Sequence, residues 1–269
     1  VITISIVSNF FFAVGTFMNE RFLFIPSIAF SLVCAWTLIK YGYSSEKPGL
    51  KYGSLVLLFI LIAGYTFKTY DRIPAWKDAL SLNGQAAMTS PNSARANCFI
   101  ATALYEEGRD SPNAEEKKQF FLEAEVYAKR ALEIYPEYIA ANQIYSGLVA
   151  ERYLRDGNLG VLLDEFTKIL SARPETEYVY QFCDYINGRA PAERMADFYY
   201  HVGHEIMAEQ KMMYPSAVQY LKLGEVVAPN DARILFGLGK ALYAAGDQVQ
   251  GTNYLNKAYQ INPALREMN

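Results

Sequence analysis

The chain has 269 residues, a net charge of −3 and a mean hydropathy of zero, with 52% hydrophobic and 20% charged residues. A mildly acidic chain without a basic stripe carries no electrostatic footprint of nucleic-acid binding. Its three cysteines show no CxxC or other metal-ligand spacing, which leaves three free thiols, with a Cys98–Cys183 pair as the alternative, rather than a zinc module or a disulfide framework.

The average hides two solvents. Before Asp71 the ionisable residues are only Glu20, Arg21, Lys40, Glu46, Lys47, Lys51 and Lys68; after it they are dense. The chain opens on Val1 inside an apolar stretch to Val14, with neither the basic start nor the cleavage site of a secretory signal. That start reads as the outer end of one membrane span, with a substantial N-terminal part expected before it.

Phe22 to Ile39 is uncharged and close to the ~20 residues a helix needs to cross hydrocarbon. Tyr52 to Phe67 is a second uncharged run, flanked by Tyr52, Tyr65 and Tyr70, side chains suited to the interface. Residues 1–70 therefore read as a membrane region with spans near 22–39 and 52–67; burial in a soluble core is the alternative. Lys40, Lys47 and Lys51 outweigh Glu46 in the connection, which places that connection in the cytoplasm. The Thr16–Arg21 loop and everything after Thr69 then lie on the opposite side, periplasmic in a bacterium or lumenal in the ER.

Residues 71–93 read as a junction helix, and 94–269 as repeats. In the stretch 232–263, Leu235, Leu238-Gly239 and Leu242 fit one packing helix; Gly246-Asp247 fits a turn; Gly251, Leu255 and Ala258 fit a second helix that Pro263 ends. Pro229 stands 34 residues before Pro263, the period of a tetratricopeptide repeat (TPR). A second unit pairs Phe198–Glu209 with a helix carrying Ala217, Leu221 and Gly224. Ala94–Tyr105 with Glu123–Tyr135 makes another, with an insert at 109–118, and Ile139–Arg155 with Leu159–Ala172 a fourth; 177–188 is left as an irregular helix. The fold class is all-α: transmembrane helices, then a solenoid of about four irregular repeats that bury one another's apolar faces.

In this register the concave face carries Arg95, Cys98, Thr102 and Tyr105, then Ala140, Gln143, Gly147 and Ala150. Tyr199, Val202, Ile206 and Glu209 come next, then Arg233, Phe236, Lys240 and Tyr243. Such a lining suits an extended polypeptide held by stacking and carboxylate pairing, or packing on another domain. His201, His204 and Glu205 lack the HExxH order and a third ligand, so they read as packing or rim residues and no metal is expected. No nucleophile–base pair and no phosphate-cradling glycine loop is evident.

Glu20 and Arg21 are adjacent charges just before an uncharged span, either a helix-end anchor or a site where Arg21 meets an anionic head group. The surrounding segment, SNFFFAVGTFMNERFLFIPSIAF, resembles one in membrane-embedded C-type glycosyltransferases with TPR repeats, the transmembrane and TPR-containing O-mannosyltransferases and bacterial relatives. The resemblance rests on Glu20-Arg21, Phe22, Phe24 and Pro26-Ser27, and further along on Trp76, Ala87 and Pro91-Asn92. Asn19 and Phe24 depart mildly from the family pattern, which has Ala and Tyr there.

The resemblance implies the C-terminal portion of a polytopic glycosyltransferase that uses a polyprenyl-phosphate sugar as donor, with no other cofactor evident. It implies that Arg21, beside Glu20, contacts the lipid phosphate, and that the repeats bind an acceptor protein or partner. The family's catalytic acid lies in an external loop upstream of these residues, so no catalytic residue is assigned in this chain. A membrane-tethered TPR scaffold, without enzymatic activity, is the competing expectation.

Overall fold

The computed structural model describes residues 24–268, which fall into two units divided between Trp76 and Lys77. The described residues are helical, with no strand among them.

The first unit is an apolar hairpin. Helix α1 (Phe24–Thr37) runs into π-helical turns at Leu38–Tyr43, and α2 (Pro48–Arg72) is prolonged by a 3-10 turn at Ile73–Trp76. Pro48 starts α2 where a missing N–H costs nothing. The 29 residues Pro48–Trp76 form the one helix among the described residues that is long and apolar enough to cross a membrane, and none of its apolar window is buried. Phe59 and Phe67 are 73% and 74% exposed. Left in water, each such side chain forgoes about 1.5–3 kcal/mol of burial, so this surface fits lipid better.

Polar groups in the hairpin are satisfied locally. The Thr37 hydroxyl donates to Val33 O at 2.7 Å and the Ser54 hydroxyl to Lys51 O at 2.9 Å. The helices meet at Gly42, where an added Cβ would collide with that of Ser54, so a small residue sets the approach. In the connection, Lys40 lies 4.6 Å from the Trp36 ring centre and Lys51 4.9 Å from that of Tyr43.

The second unit is the solenoid: α3 (Ala79–Thr89), α4 (Ala94–Asp110), α5 (Ala114–Ile134), α6 (Ile139–Asp156), α7 (Leu159–Ala172) and α8 (Glu177–Ile186). Helix α9 (Ala192–Tyr200) continues as π-helical turns through His201–Gln210; α10 (Tyr214–Val227), α11 (Ala232–Ala244), α12 (Gln248–Ile261) and a 3-10 turn at Pro263–Met268 complete it. Short polar side chains cap many of the starts. Asp78, Ser93, Asn113, Asn158, Asp231 and Asp247 each accept a backbone N–H two or three residues on, each cap stabilising by typically ~1 kcal/mol.

Two inter-repeat loops share a device. Asn97 donates to Pro91 O and Ser93 O, and Asn142 donates to Pro136 O and Tyr138 O, all within 3.0 Å. Both amides are buried, and each ties the proline turn to the helix it precedes. One apolar cluster then runs through the array from Ala87 to Leu242, with Phe166, Leu170, Met195, Met207 and Leu221 among its centre. Across it, Glu125 is buried between Arg152 at 2.6 Å and Lys129 at 2.8 Å, the pairing a buried carboxylate needs. All three cysteines are free, so the Cys98–Cys183 alternative does not hold.

The last hairpin is set by backbone contact. A Cβ on Gly251 would lie 2.7 Å from Tyr243 N and 2.8 Å from Gly239 O, atoms that cannot yield without moving a helix. At Gly147 an added Cβ would meet only the ends of Tyr105 and Tyr178, at 3.8–4.0 Å. Gly251→Ala should therefore destabilise by about 1–3 kcal/mol through overpacking, while Gly147→Ala should stabilise by up to about 1 kcal/mol through helix propensity. Thermal unfolding of the detergent-solubilised chain, followed by circular dichroism, checks both signs.

Candidate functional site

The exposed face of the solenoid is read from helices that succeed one another in the stack. Helices α4, α6 and α8 are such a series, and they meet around Gly147. The Tyr105 hydroxyl oxygen and ring carbon Cζ come within 3.8 and 3.9 Å of the position a Gly147 Cβ would occupy, and Tyr178 Cζ within 4.0 Å. Behind them, Tyr105 stacks on Phe121 at 5.2 Å and Tyr178 on Phe182 at 6.2 Å, which fixes the two rings.

Glu151 lies one turn beyond Gly147 on α6, hence on the same side. Burial raises the Tyr105 pKa, with the Glu151 charge adding to it and Arg109 opposing it. Tyr178 is pushed up to about 12 by burial, then by Tyr105 and Glu151. Arg109 is itself occupied by Asp110 at 3.0 Å.

A second polar face joins α9 to α11. Arg233 reaches Asp231 at 2.7 Å and Asp197 at 2.9 Å, with its guanidinium 5.7 Å from the Tyr200 ring centre. His204 Nε2 lies 3.2 Å from Glu209, which also lies 3.7 Å from Lys240. The π-helical turns make this possible: a spacing of five residues brings His204 and Glu209 together where an α-helix would separate them. His201 pairs with Glu205 at 2.6 Å. Among the described residues no group of three or more His, Cys, Asp or Glu is placed to hold a metal.

The sequence register fares unevenly. Arg95, Gln143, Arg233 and Tyr243 are exposed, and Tyr105 and Lys240 half-buried. Arg95 lies over the Phe99 ring, 5.1 Å from its centre. Tyr199 and Phe236 are not surface residues, at 0% and 2% exposed. Tyr199 turns inward to donate to Asn187 Oδ1 at 2.6 Å. Phe236 packs with Leu235, Ala258 and Leu265 under the final 3-10 turn. Cys98, Gly147, Ala150, Val202 and Ile206 are buried too. Tyr200 is the ring that α9 leaves half-exposed, one position along from Tyr199. Glu20 and Arg21 lie outside the described residues.

Chemistry at the two solenoid thiols is disfavoured. Burial pushes the Cys98 and Cys183 pKa values up, which keeps both protonated and unreactive at neutral pH. The sequence reading passed over Glu151 and Tyr178: the first stands one position past Ala150, the last residue chosen on α6, the second on a helix treated as irregular. The Pro-x5-Asn spacing of Pro91/Asn97 and Pro136/Asn142 was a usable signal for the loop ties.

Comparison with known proteins gives relatives of one kind. A protein O-mannosyl-transferase of Caenorhabditis elegans, F38B6.6, is 33% identical over 101 residues, 38% of this chain and 14% of its own length. Protein O-mannosyl-transferase TMTC3 of Mus musculus is 33% identical over 119 residues, 44% of this chain and 12% of its own. Mouse TMTC1 is 28% identical over 136 residues, 50% of this chain and 13% of its own. The resemblance to the O-mannosyltransferase-like TPR family is thus borne out, and the matched stretch spans about an eighth of each relative's length. No family model matches the chain. Among solved structures, the crystal structure of MamA protein aligns over 80% of this chain and 96% of its own, at 13% identity and a TM-score of 0.30, a likeness too slight to carry any argument.

The buried histidine gives a prediction. Burial lowers the His204 pKa, with Glu209 opposing and Lys240 reinforcing. Above about pH 6.5 the ring is neutral in both folded and unfolded chains, so stability is full. Below it, the unfolded chain takes up a proton that the folded chain resists, and stability declines until the lowered folded pKa is passed. The melting temperature should fall more steeply between pH 7 and pH 5 in the wild type than in His204→Gln; parallel declines would remove His204 from the pH response.

Proposed function

We propose that this chain works as part of a membrane-embedded glycosyltransferase that draws mannose from a polyprenyl-phosphate donor and transfers it to a protein hydroxyl. The observation that carries this reading is the shared similarity to several protein O-mannosyl-transferases from worm, mouse and fly. An apolar hairpin and a TPR solenoid on one chain accord with it. In this reading Arg21, beside Glu20, contacts the donor's phosphate through paired guanidinium donors. The solenoid holds the acceptor polypeptide, and the apolar helices contact membrane lipid.

The test is transfer by the native polypeptide that contains this chain, in membranes supplied with polyprenyl-phosphate mannose. Losing a charged hydrogen bond of about 1.5–3 kcal/mol predicts a drop of ten-fold or more in transfer for Arg21→Ala, with membrane insertion and repeat folding intact. An unchanged rate would take Arg21 out of the donor site. Absence of transfer by the wild type would favour a membrane-tethered scaffold.

The proposed topology has its own test. The lysine-rich connection lies on the cytoplasmic side in this reading, and the solenoid on the periplasmic or lumenal side. In sealed vesicles a membrane-impermeant maleimide should label Lys47→Cys and Asp247→Cys from opposite faces. Labelling of both from one face would invert or abolish this topology.

A further inference from the structure

We propose that Tyr105, Gly147, Glu151 and Tyr178 form a socket for a cationic side chain, arginine or lysine, of a polypeptide lying along the solenoid. The inference rests on the reading of the solenoid as a polypeptide-binding face; it does not require that the chain transfers a sugar.

Three consecutive inner helices supply the parts. Gly147 on α6, itself buried, is the floor: a Cβ there would stand at ordinary contact distance, 3.8–4.0 Å, from the phenol ends of Tyr105 from α4 and Tyr178 from α8, so the two half-buried rings converge over it. The rings are held from behind by Phe121 and Phe182, so they are preorganised. Glu151, half-buried, provides a carboxylate one turn along the same helix face.

The polar groups of the socket are uncommitted. Among the described residues no hydrogen bond or ion pair reaches the Glu151 carboxylate, and neither tyrosine hydroxyl has a partner. The neighbouring cations are turned to other carboxylates, Arg152 to Glu125 at 2.6 Å and Arg109, whose charge reaches Tyr105, to Asp110 at 3.0 Å. The other half-buried or buried carboxylates of this unit have partners: Glu125 has Arg152 and Lys129, Glu165 has Lys168, Glu205 has His201, Asp231 has Arg233, Glu225 accepts the Tyr254 hydroxyl and Asp247 caps a helix at Gln250 N. A half-buried carboxylate without a counter-ion, flanked by two electron-rich rings, is completed by a ligand cation through charge pairing and cation–π attraction. Guanidinium suits it best, because its donors can serve the carboxylate and a phenol oxygen together. A neutral sugar would leave the Glu151 charge uncompensated, which is why the cation is favoured.

The test uses the full chain in detergent micelles and three probes: an extended Ser/Thr-rich decapeptide with one central arginine, the same peptide with glutamine there, and methyl α-mannoside. Peptide affinities are read by fluorescence anisotropy and the mannoside by competition. The arginine peptide should bind about ten-fold more tightly than the glutamine peptide, a difference typical of one desolvated charge-assisted contact. Glu151→Gln should abolish that preference, Tyr178→Leu should reduce it, and Tyr178→Phe should retain most of it because the ring remains. Gly147→Ala, whose methyl meets only ordinary contacts, should weaken the arginine peptide while the chain stays folded by circular dichroism. Equal binding of the two peptides to the wild type, no binding of either at millimolar concentration, or an arginine preference that survives Glu151→Gln would each overturn the socket. Displacement by the mannoside with no arginine preference would overturn it in favour of a sugar subsite. Failure of mannosyl transfer alongside an intact arginine preference would leave the socket standing.

Discussion

Apolar faces that cannot be closed within one hairpin organise the whole solenoid. Each helix presents a stripe wider than its immediate partner covers, and the surplus is buried by the next helix in the chain. That is why one cluster extends unbroken from Ala87 through Phe166 and Met207 to Leu242. The close crossings arise from the same demand. Gly239 and Gly251 bring two backbones together so that Leu235, Phe236 and Ala258 can meet Leu265. The apolar hairpin leaves its own stripe uncovered: its side chains are exposed along a helix long and apolar enough to cross a membrane.

Much of this was legible in the residues. Proline at repeat ends, alanine and glycine at crossings, and the 34-residue step from Pro229 to Pro263 identify a TPR-type solenoid without any contact being known. Local rules were less legible in which residues of a helix face outward. On α9 the counted face is one position out before the π-helical turns begin, since Tyr199 is buried and Tyr200 half-exposed, and Val202 and Ile206 beyond it are buried as well. Phe236 was misplaced for a different reason. Its position on α11 suits an inner face, but the last 3-10 turn folds back over it, and a short terminal turn leaves little trace in periodicity.

The candidate face shows the same division. On α4, α6 and α11 the register puts Cys98, Gly147, Ala150 and Phe236 on the face, all buried, while Tyr105, Gln143, Arg233 and Lys240 were also chosen by it and lie exposed or half-buried. Tyr178 was not chosen, because α8 has no obvious partner in a scheme of paired helices. In the stack it takes the place of the next inner helix, bringing its tyrosine beside Gly147. A segment that looks degenerate in a repeat alignment is thus the one that makes the middle of the face distinctive. Glu151 is set apart by a half-buried carboxylate that no hydrogen bond or ion pair reaches, and a sequence cannot show that Arg152 is turned to Glu125 instead.

The distribution of charge bears on how such a face would be used. Towards its C-terminal end the cations are already engaged, Arg233 by Asp231 and Asp197 and Lys240 by Glu209, so a ligand must displace or share those partners. Around Gly147 nothing has to be displaced. A polypeptide anchored there by one cation and reaching towards Tyr200 would make its second contact as an intramolecular event, at an effective concentration set by the span between them. Two individually weak contacts can then hold an extended chain that remains quick to release. On the proposed function, that is the behaviour an acceptor site requires, because a substrate gripped equally tightly before and after reaction gains nothing for turnover.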